Sequence, residues 1–315
     1  MRFAIIGAGG VGGYFGGLLA SSGEDVTFIA RGAHLEAIRR DGLRVESVHG
    51  DFTVFPAKAT DDARTVGPVD VVLFATKTYQ LETAGQALHP LIGPHTVVIP
   101  LHNGVDAAER TAAITGREHV LGGVCYVGSM IASPGVIRQQ SPFRRIIAGE
   151  LAGNTGAGQV TPRVQAIVDV LARAGVTAEG SPDIEATAWT KFAFIGPFSG
   201  VGSVTRALAG EIQATGEARQ MLHDAIREVI DVALAEGVAV PADLAERTMA
   251  FCDGLPPGMT ASMQRDVLDG KPSELDSLIG VMVRKGDAHG VAVPTFRFFY
   301  ASLLPQEKRA RAASG

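Results

Sequence analysis

Apolar residues fall in short unbroken runs over the first half of the chain and at helical spacing over the second. Phe3-Ala4-Ile5-Ile6 is one run, and residues 26–30, 69–75 and 96–101 repeat the form. Runs that do not alternate belong to strands buried on both faces, as in a parallel sheet covered by helices. Residues 13–20 form an apolar helix between the first two runs, and 34–40 a shorter helix closed by Asp41-Gly42. Residues 43–48 and 51–55 alternate around His49-Gly50, which predicts a hairpin and departs from a plain doubly wound unit. Three further strands, 120–127, 135–139 and 145–148, are expected to complete the sheet. Residues 149–158 form a glycine-rich loop. An amphipathic helix follows over 162–174, with Pro162 in its first turn and Gly175 past its end. A strand at 176–179 closes this part.

Beyond Gly180-Ser181-Pro182 the strand signal nearly vanishes. A helix over 183–195 should break or kink at Gly196-Pro197. Residues 210–235 predict one long helix, and 241–252, 259–268 and 273–289 three more. The charged, alanine-rich tail from Gln306 is expected to fray. The pattern as a whole predicts an α/β protein. An N-terminal Rossmann-type, doubly wound parallel sheet (1–180) would be followed by an all-helical C-terminal domain (181–315).

A length of 315 residues also favours two domains. A net charge of -5 offers no basic field for nucleic acid. No run approaches the roughly 18 apolar residues of a membrane span. The first apolar run is too short for a signal peptide, so a cytoplasmic location is expected. Cys125 and Cys252 fit a reducing compartment rather than a disulfide scaffold. The histidines are scattered, so no metal site is expected.

The candidate chemistry begins at Gly7-Ala8-Gly9-Gly10-Val11-Gly12. The first glycine permits a tight turn, the second a close approach of pyrophosphate, and the third close packing of helix on strand. The helix N-terminus then presents free N–H groups to an anion. Alone the motif is weak; a strand before it and a helix and strand after it give it weight. The second strand ends Ala30-Arg31-Gly32, without the carboxylate that binds an adenosine ribose hydroxyl. Arg31 would pair instead with a 2′-phosphate, pointing to NADP(H), although an ordinary surface arginine also fits. Lys77 and Asn103 follow the carboxyl ends of two buried strands, where such sheets bind ligands. A surface lysine and a turn asparagine account for them equally well. Lys191 interrupts the apolar run Trp189-Thr190-Lys191-Phe192-Ala193-Phe194-Ile195, so it either snorkels to water or is held at a site. Ile195 and Ser199 would share its face if the helix continued. Ser262 reads as the polar side of a helix, and Glu274 as a first-turn carboxylate behind an N-cap at Ser273.

These residues resemble the ketopantoate reductase family (2-dehydropantoate 2-reductases) along nearly the whole chain. The resemblance lies in the glycine motif, Arg31, Lys77 before a Tyr-Gln pair, Asn103-Gly104, Trp189 with Lys191, Ser262-Met263 before Asp266, and Glu274. It implies an NADPH-dependent 2-oxo acid reductase, with the cofactor on the N-terminal domain, the substrate on the helical one and the site between. The implied reaction converts 2-dehydropantoate to pantoate in pantothenate biosynthesis. Lys191 is then the catalytic lysine, and Glu274 joins it as a catalytic residue. Glu274, Ser262 and Asn103 position substrate, with Glu274 also able to orient the lysine. Arg31 binds the 2′-phosphate, and Lys77 and Asn103 touch the cofactor. One departure matters. Where well-studied members carry asparagines four and eight residues after that lysine, this chain has Ile195 and Ser199. Losing a partner for a substrate hydroxyl costs a site heavily. The alternative is therefore a related oxidoreductase for a bulkier or more apolar 2-oxo or 2-hydroxy acid. A non-catalytic NADPH sensor and a methyltransferase are further alternatives; Arg31 and the long helical region count against the latter. An exposed apolar helix face would suit a homodimer.

Overall fold

The computed structural model of the chain describes residues 1–314. Two compact units emerge: Met1–His102 with Ala107–Ile184, and Asn103–Asp106 with the chain from Glu185 onward. The short segment Asn103–Asp106 thus leaves the first unit and belongs to the second.

The first unit contains, in order, β1 (Arg2–Ile6), α1 (Gly10–Ser21), β2 (Asp25–Ile29), α2 (Gly32–Asp41), β3 (Leu43–Glu46), β4 (Phe52–Val54) and β5 (Lys58–Thr60). Then come β6 (Val71–Phe74), α3 (Leu81–Gly85), β7 (Val97–Pro100), α4 (Ala107–Thr115), β8 (Leu121–Ser133), β9 (Val136–Glu150), α5 (Pro162–Arg173) and β10 (Thr177–Gly180). One sheet runs β5-β2-β1-β6-β7, parallel throughout. Within it β6 and β7 are buried from end to end, as their unbroken apolar runs require. The 43–55 hairpin forms as predicted, pairing Leu43 with Val54.

The later strands do not complete that sheet. β8 and β9 form a long antiparallel pair in a second sheet, ordered β10-β9-β3-β4 with β8 on the other flank of β9. The runs 135–139 and 145–148 are one strand. Register jumps between Val127 and Ser129, leaving residues 140–143 outside the ladder, and Pro142 lies in that gap. Alternation along a strand tells which residues face a core, but not which sheet the strand joins. The second sheet explains why α1 is apolar on all sides. Cβ atoms at Gly16 would sit 2.7 Å from Ile5 and Phe28, and at Gly13 2.8 Å from Ile137 of β9. The helix is thus packed between two sheets, and glycines let both come close.

The second unit is helical: α6 (Ile184–Thr205), α7 (Ala209–Ala214), α8 (Gly216–Ala235), α9 (Leu244–Asp253) and α10 (Ser262–Leu268), then a π-helical turn (Asp276–Gly280), α11 (Val281–His289) and α12 (Pro294–Ser314). Four expectations are corrected. First, α6 does not break at Gly196-Pro197 but runs through them for 22 residues. An internal proline costs about 3 kcal/mol. Burial of Phe192, Phe198 and Val201 on the same helix offsets this, at about 1.5–3 kcal/mol per large side chain. Second, 210–235 is two helices, because the chain is extended at Thr215. Gln213 there donates to the carbonyl of Cys252 at 2.8 Å. Third, the helix expected over 273–289 opens with the π turn. Fourth, the tail is not frayed. Glu307 is buried, accepts from the Ser273 N–H at 3.0 Å, and pairs with Arg311 at 2.7 Å. No helix is long and apolar enough among the described residues to cross a membrane.

Candidate active site

The glycine turn occupies the carboxyl end of β1. Gly7 has φ +89°, reached without strain only by glycine, and its Cβ would lie 2.8 Å from the Ala75 carbonyl oxygen. A side chain at Gly12 would run into the Gly7 carbonyl and sit 2.9 Å from Ile5. Gly10 is backed by the Ser129–Met130 backbone of β8. A Cβ added at Gly9 would meet nothing within 4 Å, so the turn is walled at Gly10 and open at Gly9. Ala8 is buried beneath it and Val11 half-buried. Gly9 is also the N-cap of α1 and offers no side chain, which leaves first-turn N–H groups for an external acceptor.

Arg31 is the extended N-cap of α2, exposed, with no side-chain polar partner among the described residues. Lys77 follows β6 and is half-buried. Beside it, Thr76 Oγ1 lies 3.0 Å from His102 Nε2. Burial, and then the charge of Arg110, pull the His102 pKa down to about 3, so the ring is neutral.

In the second unit three sequence candidates meet. Lys191 Nζ donates to Asn103 Oδ1 at 3.0 Å, and Asn103 Nδ2 donates to Glu274 Oε2 at 3.2 Å. The carboxamide is an adapter. Its oxygen faces the cation and its N–H the anion, so its orientation follows from its neighbours. Lys191 comes from the half-buried face of α6 and Glu274 is 5% exposed just before the π turn. The Asn103 segment is brought against that turn by Gly104. With φ +115°, a side chain at Gly104 would lie 3.0 Å from the Ser277 carbonyl.

Because α6 is continuous, Ile195 and Ser199 follow Lys191 on one face. Ile195 is half-buried against the apolar core of the unit. The Ser199 and Ser203 hydroxyls are buried with no hydrogen-bond partner among the described residues. Ser262 is half-buried in the first turn of α10, with no bond to the Lys191–Asn103–Glu274 group. α10 packs on α6 at Gly202, whose Cβ would sit 2.9 Å from Gln264 Cδ.

Two models of one family match this pattern: "Ketopantoate reductase PanE/ApbA" over residues 3–153 and its C-terminal counterpart over 183–307. The chain belongs to the ketopantoate reductase family. It is 33% identical to an uncharacterized oxidoreductase (YkpB) of Bacillus subtilis, over 98% of this chain and 99% of that one. It is 30% identical to a crystal structure of 2-dehydropantoate 2-reductase from Geobacter metallireducens, with a TM-score of 0.89, covering 97% and 99% of the two chains. A ternary structure of D-mandelate dehydrogenase with NADH and anilino(oxo)acetate shares the fold at TM-score 0.88 and 23% identity, covering 99% and 100%. The ketopantoate reductase fold is thus present along the entire matched length.

Sequence reasoning missed one feature in each unit. Glu307 anchors the residue before Glu274, yet a charged, alanine-rich tail carries no local sign of docking. The His102–Thr76 pair was hidden because each residue looks like an ordinary strand end.

Proposed function

We propose that this ketopantoate reductase family member reduces a 2-oxo acid to a 2-hydroxy acid with NADPH, with 2-dehydropantoate as the substrate and pantoate as the product. The observation that carries the reading is the Lys191–Asn103–Glu274 chain of hydrogen bonds. The glycine turn suits the dinucleotide: it is open at Gly9, backed at Gly10, and ends on a bare helix N-terminus. Arg31, with its fork of donors uncommitted, supports the phosphorylated cofactor, and Lys77 stands beyond β6 as a second cation.

When bound, NADPH supplies the hydride to the carbonyl carbon. Lys191 stabilises the charge that develops on the carbonyl oxygen and passes it a proton. Asn103 takes one ammonium N–H and so aims the others. Glu274, reached through Asn103, keeps the carboxamide from turning over. Ser262 and the backbone at the start of α10 supply donors for the substrate carboxylate.

The test is Lys191→Ala. Turnover should fall at least about a hundredfold, the low end for a positioned acid, with little change in NADPH affinity. Near-normal turnover would remove Lys191 from the chemistry.

Ile195 favours a second reading, in which the substrate is a bulkier or more apolar 2-oxo acid. A branched apolar side chain one turn from Lys191 offers contact to hydrocarbon and none to a hydroxyl. The fold shared with D-mandelate dehydrogenase is compatible with this. A panel of 2-oxo acids ranked by kcat/KM separates the readings. A top rank for 2-dehydropantoate supports the first, and a preference for aryl or branched substrates supports the second.

A further inference from the structure

His34 joins three segments of the first unit that are distant in sequence. It lies in the first turn of α2, three residues after Arg31, and is half-buried. Its Nε2 lies 2.8 Å from the Ala8 carbonyl oxygen, inside the glycine turn. Its Nδ1 is 3.1 Å from the Gly135 backbone nitrogen, at the tip of the β8–β9 hairpin. A backbone N–H can only donate, so Nδ1 must accept. The ring proton therefore sits on Nε2 and is donated to Ala8. Both bonds require the neutral ring, and burial pushes the His34 pKa down, favouring that form. Gly135 is fitted to this arrangement, since with φ +77° its Cβ would lie 3.0 Å from Ala37 Cβ on the same helix as His34.

In a trans peptide the C=O and the following N–H point in opposite directions. Fixing the Ala8 carbonyl therefore fixes the Gly9 N–H, directed away from His34. Gly9 is also the residue of the turn at which an added Cβ would meet nothing within 4 Å. We infer that His34 is a positioning residue for the dinucleotide: by holding the Ala8 carbonyl, it aims the Gly9 N–H at the pyrophosphate. The same imidazole ties that turn to the helix that carries Arg31, so the donors for the two phosphate positions are set by one ring. The inference rests on the reading that a dinucleotide lies over the glycine turn.

Two substitutions divide the two bonds. The Nε2 of His34→Gln reaches the place of the ring Nε2 and keeps the donor to Ala8. The Oδ1 of His34→Asn reaches the place of Nδ1 and keeps only the acceptor for Gly135. NADPH affinity is measured by fluorescence titration of the full-length wild-type and variant proteins, with melting temperatures recorded alongside. The Gln variant should bind within about threefold of wild type, and the Asn variant about tenfold more weakly, the loss of one partly buried hydrogen bond. Equal binding by all three proteins overturns the inference. So does a loss of affinity in the Gln variant that matches the Asn variant and tracks the fall in melting temperature, because His34 would then be a tether and nothing more. If wild type itself fails to bind NADPH, the cofactor reading falls and takes this inference with it. Failure of the inference alone leaves wild-type binding intact.

Discussion

Asn103→Asp changes one NH2 group to an oxygen with almost no change in volume, yet it should disable the site. In the native arrangement Asn103 Nδ2 donates to Glu274 Oε2 at 3.2 Å. The aspartate puts a second carboxylate oxygen in that place. Two unit charges 3.2 Å apart repel by about 5 kcal/mol at an effective dielectric constant of about 20. The Lys191 ammonium, 3.0 Å from the other oxygen, attracts the new carboxylate by about as much, so the two charge effects nearly cancel. The loss is one of geometry: Glu274 no longer receives an N–H, the two carboxylates are pushed apart, and the ammonium follows the new anion instead of being aimed by a carboxamide. That misplacement should lower kcat/KM about a hundredfold. The assay is kcat/KM for the preferred 2-oxo acid, from NADPH oxidation, with Asn103→Ala alongside, which loses the link without adding charge and should fall by a similar factor. An aspartate variant within threefold of wild type refutes the reasoning.

Other perturbations probe separate parts. Arg31→Ala should weaken NADPH about tenfold while leaving NADH within threefold; an equal loss for both removes the 2′-phosphate role. Glu307→Ala leaves the buried Ser273 N–H and hydroxyl without their acceptor and removes the ion pair with Arg311. It should cost about 2–4 kcal/mol in chemical denaturation and raise KM for the 2-oxo acid. A change below about 0.5 kcal/mol would mean that the tail does not anchor the Glu274 segment. Glu150, at the end of β9, is buried and burial alone would raise its pKa. Arg163, Thr161 and Asn154 outweigh that and hold it below its ordinary value of 4.5. The carboxylate therefore adds stability that is complete above pH 4.5 and lost as pH falls through the lowered value. Comparing wild type with Glu150→Gln by urea denaturation should show a difference that shrinks on acidification below that point. A difference that grows would reverse the sign.

The residues of the glycine turn and the strands around it were legible because their signals are local. A buried parallel strand needs an unbroken apolar run, and a turn with φ +89° at Gly7 needs glycine. The helical second half followed from spacing alone. Lys191, Asn103 and Glu274 could each be singled out, but each also had a bland local explanation. Only the folded chain joins them, across 88 residues from Asn103 to Lys191 and 171 from Asn103 to Glu274. The same holds for the elements that sequence misplaced. Pro197 stays in a helix because tertiary burial outweighs one lost backbone bond. β8 and β9 found a second sheet because strand pairing is decided by partners far along the chain. The helix expected to run through Thr215 divides where Gln213 reaches the carbonyls near Cys252. The tail is ordered because Glu307 finds Ser273, 34 positions earlier. Amino-acid order set what each segment prefers within a few residues of itself; contacts between distant segments decided which preference prevailed.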